Sequence, residues 1–567
     1  MPAEKKLKVV LCWHMHQPEY RDLRTGEYQL PWTYLHAIKD YIDMVVHLEE
    51  VPGAKAVVNF APILLEQIED YARQTHGYLH DGIAIRDPLL AALVEPAIPP
   101  MPEQRLVLIK DCLRANRERQ INRYPAFRKL VEMAEWIGDH ADAMGYINSQ
   151  YITDLLVWYH LAWMGETVKR TDLRVKRLID KCAGYTLHER RELLEVIDEI
   201  LSTVIGRYRA LAGKGAVELS VTPYAHPIMP LLLDVNATRD AMPDARLPHL
   251  DTYPGGADRV RWHLREGIET FRRFFGFQPT GCWPSEGGVS FETLQLMEEH
   301  GFKWTATGGN VLCNSLHRAG MAEGISPHQA FKVNGNDITC FFRDDGLSDL
   351  IGFEYSTWHA DDAVADFINH LENIADHTND NSVVTIIMDG ENAWEHYPEN
   401  AYYFLNSLYH RLASHPRLEL STFAECVDEN KSQTQLPGLV AGSWVYGTFS
   451  TWIGDVDKNR GWDMLGDVKW CFDKITTLGR ISDEQLKKAE HQLAICEGSD
   501  WFWWFGDYNP EEAVSSFECQ FRLNLANLYQ LLGEEPPSYL AEVFTHGSGS
   551  PLMGGAMRPG TVKHARN

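Results

Sequence analysis

None of the ten cysteines stands in a CxxC pair, and their scatter from Cys12 to Cys519 suggests neither a zinc knuckle nor a disulfide framework. Reduced, buried thiols in a cytoplasmic protein are the expectation. No uninterrupted apolar run reaches the length of about 18 residues that would suggest a membrane span. The amino terminus, MPAEKKLKVVLCWHMHQP, has basic residues, but its short apolar run enters a motif instead of a small-residue cleavage site, which argues against secretion. Positive charge is also scarce: 53 Lys and Arg face 79 Asp and Glu, giving a formal charge of −26. That balance repels a polyanion such as nucleic acid and leaves a neutral ligand unaffected. No repeat of roughly 20–50 residues is evident, which disfavours a solenoid or propeller.

What the sequence does hold is length and aromatic surface. Its 567 residues are 44% hydrophobic, enough for a large core and further domains. The 17 Trp, 23 Tyr and 22 Phe suit packed cores and the apolar faces of sugar rings alike. Strand-like runs occur at Leu7–Cys12, Ala54–Phe60, Ala216–Val221, Lys303–Ala306, Ile338–Phe342, Ser382–Met388 and Leu418–Ser421, with helical patterns between most of them. Strands alternating with helices predict a parallel α/β architecture, and strands ending in polar residues favour a (β/α) barrel, complete or incomplete.

The barrel is expected over residues 1–429, with a strandless, amphipathic helical insertion at about 104–211. After the linker KSQTQLPG, residues 430–545 read as an α-helical domain, and the Gly- and Ser-rich stretch 546–567 reads as a disordered tail without chemistry.

Four segments place reactive groups at strand ends. In KVVLCWHMHQPEYRD an apolar strand ends in His14 and His16, two residues apart and so on one side of the strand, before Gln17 and Pro18. Such a pair suits metal binding, catalysis or simple packing. In ELSVTPYAHPIMPLL a strand runs into Thr222, Tyr224 and His226, with prolines forcing a loop. In TGCWPSEGGVS, Trp283 and Glu286 lie in a Pro/Gly-bounded turn before a helix that begins near Ser290. Glu286 could favour that helix's amino terminus or sit in a catalytic loop. In SVVTIIMDGENAWEHYPENA an apolar strand stops at Asp389, followed by Glu391, Trp394 and His396; a carboxyl at a buried strand's mouth tends to hold its proton. Two carboxyl groups in unlike settings are what glycoside cleavage requires. A third acidic segment, FFRDDGLSDLIGFEYS, carries Arg343, Asp344, Asp345 and Asp349. An Arg–Asp structural pair explains it, and Asp344 is at most a sugar contact.

Together with SWVYGTFSTWIGDVDKNRGWDML, these segments resemble glycoside hydrolase family 57 over roughly residues 7 to 530. The resemblance implies an incomplete seven-stranded barrel followed by a helical domain that completes the active-site cleft. It implies a retaining α-glucan enzyme of the amylase or amylopullulanase kind, acting mainly on α-1,4 bonds of glycogen, starch or malto-oligosaccharides. Glu286 would be the nucleophile and Asp389 the general acid/base, with no metal and no cofactor. His14, His16, Gln17, His226 and Glu391 would line the sugar subsite, with Trp283, Trp394, Trp444 and Trp452 as stacking or gating candidates. EGSDWFWWFGDYNP could reach the cleft or form an aromatic seam between domains. Three other readings stay open: a 4-α-glucanotransferase or branching enzyme on the same scaffold, a metal-dependent hydrolase or deacetylase using the histidines, and a glucan-binding protein without turnover.

Overall fold

A computed structural model describes residues 6–321, 325–378, 381–429, 433–549 and 556–560. Its sheet contains ten strands: β1 (Leu7–Met15), β2 (Ala56–Phe60), β3 (Val217–Val221), β4 (Gly281–Cys282), β5 (Trp304–Thr307), β6 (Phe331–Val333), β7 (Thr339–Phe342), β8 (Val383–Asp389), β9 (Leu418–Leu420) and β10 (Thr434–Leu436). Seven of them, in the order β7-β5-β4-β3-β2-β1-β8, form one all-parallel run. The barrel is incomplete between β7 and β8. There the Asp344 amide donates to the Thr385 carbonyl at 2.8 Å in place of a ladder between described residues. β6 and β10 extend the β7 edge, and β9 pairs with the first residues of β1.

Alternation along β1 decides which side chains the barrel encloses. Val9, Leu11 and Trp13 face outward into the main core under the helices. Val10 and Cys12 point inward, joining Val57, Trp283, Trp304, Phe341, Ile387 and Phe423 in a separate cluster that fills the barrel. Trp304 packs 4.3 Å from Phe423 and donates through Nε1 to Glu218 Oε1 at 2.7 Å. A Cβ on Gly281 would lie 1.7 Å from the Trp304 ring, so only glycine lets β4 pass this plug. Continuing the inward series of β1 gives His14, and the inward series of β8, Val383 and Ile387, ends at Asp389. The strand register sets His14 beside both Asn59 and Asp389.

All seven strand-like runs of the sequence are strands. The three that sequence reading passes over, β4, β6 and β10, are two or three residues long. β10 lies inside the stretch read as a linker, so the sheet ends after the expected boundary at 429; the linker's residues 431–432 lie outside the described residues. The connection from β2 to β3 holds helices and no strand, beginning at Pro62 and ending with the 27-residue helix Leu187–Gly213. Beyond β10 come Val456–Thr477, Asp483–Cys496, Ser499–Trp504 and Glu511–Leu531, all helical. No helix of the described residues is long and apolar enough to cross a membrane.

The helical region is locked to the barrel by a buried ionic cluster. Glu497 accepts from Arg259 Nη2 at 2.8 Å, from Tyr253 at 2.6 Å, and pairs with His263 Nε2 at 2.8 Å. Burial alone would raise the Glu497 pKa, but Arg259 and His263 outweigh it and hold it at about 2. Glu497→Ala leaves Arg259 buried without its partner and is expected to cost about 3–5 kcal/mol in denaturant unfolding. Because the folded pKa is depressed, the wild-type advantage is present above the ordinary glutamate range and fades as pH falls through about 2.

The stretch 546–567, expected to be disordered, is not uniformly so. Ser548 and Gly549 pair with the backbone of Asp507 and Asn509, and residues 556–560 are seated against the mouth of the barrel; 550–555 and 561–567 lie outside the described residues, as do 1–5, where the reading against a secretion signal partly falls.

Candidate active site

Glu286 stands in a turn that its own sequence builds. Trp283 and Pro284 leave β4, and the chain then folds into a single tight turn, Ser285–Gly287. Glu286 has φ 57° and Gly287 φ 60°, so a β-carbon-bearing residue occupies the left-handed region at roughly 1–3 kcal/mol. The strain is held by a segment from far along the chain. Val289 and Gly442 exchange antiparallel backbone hydrogen bonds, and the Trp444 amide donates to the Glu286 carbonyl at 3.1 Å. Trp444 Nε1 then donates to Glu286 Oε2 at 3.0 Å.

The other carboxyl oxygen, Oε1, faces a hydrogen-bonded chain of neutral groups. Asn59 Oδ1 accepts from His14 Nδ1 at 2.7 Å and from Thr222 at 2.7 Å. His14 Nε2 is therefore the acceptor, and His226 Nε2 donates to it at 3.0 Å. His226 Nδ1 in turn accepts from Ser499 Oγ at 2.8 Å, whose oxygen lies 3.5 Å from Glu286 Oε1. Burial, with the neighbouring His16, pushes His14 down to about 3, and burial with both neighbouring histidines pushes His226 well down, so both rings stay neutral. His16 stacks on His226 at 3.7 Å between ring centroids and pairs through Nε2 with Asp500 at 2.8 Å.

The ring nitrogens of His14, His16 and His226 lie close enough together to be ligands of one metal ion, but the rings as oriented do not converge on a common point. The His14 and His226 Nε2 atoms, 3.0 Å apart, face each other in a hydrogen bond. His16 lies in a nearly parallel plane, 14° from that of His226, so one ion cannot meet both rings in plane.

Asp389 closes β8 on the opposite flank, and Asn392 Nδ2 donates to its Oδ2 at 2.9 Å. Burial pushes its pKa up to about 6, the Asn392 bond and the charges of His16 and Arg343 countering only part of the effect. Burial, then the charge of Asp389 and that of Asp500, raises Glu286 well above the usual carboxylate range, while Trp444 and Arg558 oppose the rise. With one carboxyl ionised, its neighbour keeps its proton more tightly.

Both carboxyls open on a cleft of about 550 Å3 that also receives His14, His16, Gln17, His226, Glu391 and Trp444. Glu391 is buried and accepts from the Gln17 side chain at 3.2 Å and from the His16 amide at 3.3 Å, bracing the motif that precedes it. Three expected stacking residues are not in the cleft. Trp283 is inside the barrel under Trp444, 5.3 Å away edge-on, because the inward pleat of β4 continues through it. Trp394 turns beneath the site, donating to the Gly390 carbonyl at 2.8 Å and packing against Trp13. Trp452 is fully buried behind Trp503. Asp344, considered as a sugar contact, instead pairs with His328 and caps the following helix outside the cleft.

The aromatic walls come from elsewhere: Trp32 and Trp163, 5.8 Å apart, on the insertion side, and Trp503, Trp504 and Phe517 from the helical region. Asp500 and Ser499 show that EGSDWFWWFGDYNP does reach the site. Its clustered tryptophans beside an acid were the available signal; Trp32, Trp163 and Arg558 gave none.

A family model described as glycosyl hydrolase family 57 matches residues 10–437. A 1,4-alpha-glucan branching enzyme of Thermococcus kodakarensis is 24% identical over 115 residues, which span 20% of this chain and only 14% of that protein's length. Among solved structures, the family 57-type branching enzyme of Pyrococcus horikoshii has 16% identity and a TM-score of 0.58, covering 95% of this chain and 93% of that one. The alpha-amylase AmyC of Thermotoga maritima has 13% identity and a TM-score of 0.56, covering 94% and 96%. At such identities the likeness is one of fold, and the family match carries the assignment: the chain belongs to glycosyl hydrolase family 57 and is an enzyme of the glycoside hydrolase type.

Proposed function

We propose that the protein is a retaining glycosidase that cleaves mainly α-1,4 bonds of glucans or malto-oligosaccharides, with Glu286 as nucleophile and Asp389 as general acid/base. The observation that carries this reading is a pair of carboxyls, Glu286 buried in the turn after β4 and Asp389 half-buried at the end of β8, opening on one aromatic-walled cleft and held by different partners. The lining is more acidic than basic, with Arg114, Arg343 and Arg558 against six carboxyls, which suits an uncharged sugar. Ten free cysteines fit a reducing, cytoplasmic setting.

In the first step the Glu286 carboxylate attacks the anomeric carbon. The glycosidic bond breaks, and Asp389 gives its proton to the departing oxygen. In the second step Asp389 takes a proton from water, the water oxygen bonds to the anomeric carbon, and Glu286 leaves as carboxylate. Trp444 Nε1 holds one oxygen of the nucleophile in place, and the neutral His14–His226–Ser499 chain backs the other without adding charge. Another sugar hydroxyl in place of water would make the same chemistry a transfer.

A product time course from maltoheptaose tests this. Reducing ends rising in step with chain shortening is the expected result. Redistribution of chain lengths at constant reducing ends would replace hydrolysis by transfer, and no change on any α-glucan would overturn the reading.

A further inference from the structure

The carboxy-terminal residues 556–560 occupy a fitted seat across the site. The Gly560 amide donates to Asp349 Oδ2 at 3.0 Å, and its carbonyl accepts from Asn310 Nδ2 at 2.8 Å and from the Tyr446 amide at 3.1 Å. The seat is shaped for glycine: a Cβ at this position would lie 2.6 Å from Arg343 Nη1 and 2.8 Å from the Asp345 carboxyl carbon. Two residues back, the Arg558 guanidinium stands 4.6 Å over Trp503 and 4.8 Å over Tyr508, with Nη1 donating to Thr451 at 3.2 Å. The segment thus bridges loops at the barrel mouth and the helical region. Ala556, Met557 and Arg558 all line the cleft.

Its position relative to the nucleophile is defined by the two oxygens of Glu286. Oε1 looks toward Ser499 and the histidines; Oε2 looks toward Trp444, over whose ring Arg343 lies at 5.5 Å. Arg343 is also the wall of the Gly560 seat, so the bridge crosses the cleft on the Trp444 side. Arg558 Nη2 is buried there with no hydrogen-bond partner among the described residues.

We propose that residues 556–560 form a strap that closes the Trp444 end of the cleft. The enzyme then takes an α-glucan by a free chain end or as a short oligosaccharide, and Arg558 binds a sugar hydroxyl at the closed end. This rests on the α-glucan reading above. A polymer attacked in mid-chain must continue out of the cleft on both sides of the bond cleaved, and the strap leaves it one way out. Arg558 is a specificity-determining residue: its guanidinium supplies the donor, and Trp503 and Tyr508 hold it flat.

The test compares the intact protein, a chain ending at Gly549, and Arg558→Ala on two substrates of equal size, linear maltoheptaose and cyclic β-cyclodextrin, which has no chain end. The intact protein is expected to prefer the linear substrate by at least about tenfold in kcat/KM. The shortened chain should reduce that preference about tenfold by gaining activity on the ring, and Arg558→Ala should raise KM for maltoheptaose about tenfold, the loss of one charged hydrogen bond. Thermal melts establish that each variant is folded. Should the shortened chain fail to fold, Gly560→Val in the full chain dislodges the same anchor. An unchanged linear-to-cyclic ratio in a folded variant overturns the strap while leaving the glycosidase intact. An intact protein inactive on these and on every other α-glucan overturns the α-glucan reading, and the strap with it; activity on long glucans alone overturns the strap.

Discussion

Glu286→Gln is expected to lower kcat/KM by about four to six orders of magnitude while leaving the melting temperature unchanged or slightly higher. Two features make the separation clean. The amide oxygen of glutamine can still accept from Trp444 Nε1, and the amide nitrogen can donate to Ser499 Oγ, so the turn keeps both of its tethers. The buried carboxyl, by contrast, carries a desolvation cost that a neutral amide escapes. Left-handed φ at residue 286 is a backbone property and burdens both side chains equally. The decisive measurements are steady-state kinetics on maltoheptaose beside a thermal melt. Full activity in a folded variant would remove Glu286 from the chemistry.

The second large effect belongs to Asp389→Asn, and it depends on the substrate. With an unactivated sugar leaving group, loss of the proton donor should cost about 10²–10⁴-fold in kcat/KM. With a nitrophenyl leaving group, whose departure needs no proton, the first step should be nearly spared. The pH profile gives an independent sign. With Asp389 pushed up to about 6, activity of the intact enzyme on unactivated glucans is expected to decline above that pH as the proton donor is lost. The Asn variant, with no proton to lose at this position, should not show that decline on the nitrophenyl substrate. The same alkaline decline in the variant would take Asp389 out of the proton transfer.

Much of this site was legible in the sequence because strands ending in reactive side chains need only local rules. The run Val10, Cys12, His14 is a period of two that places the histidine on the barrel's inner side, and the apolar run before Asp389 does the same on β8. Short strands escaped because two or three residues carry no period, as in Gly281–Cys282. The tryptophans misled for a related reason. Trp283 and Trp394 stand next to the motifs along the chain, but adjacency in sequence does not say whether a ring points into the cleft or into the floor beneath it. Trp32, Trp163 and Trp503 reach the cleft through folding of distant segments, and nothing in their local sequence records it. The tail misled through composition. Gly- and Ser-rich residues do not nucleate structure alone, yet Gly560 is needed where it sits because no side chain fits beside Arg343.

The tethers of Glu286 have a consequence for when this enzyme comes into being on the ribosome. Both carboxyls are translated by residue 389, and every strand of the seven-stranded parallel run by the same point. Trp444, which fixes one oxygen of the nucleophile, and Ser499 and Asp500, which back the histidines, emerge only later. A nascent chain can therefore complete the parallel run and still present a nucleophile in a strained turn with neither of its clamps. Catalysis switches on near the end of synthesis, and a truncated product released early would carry both carboxyls in an unset active site.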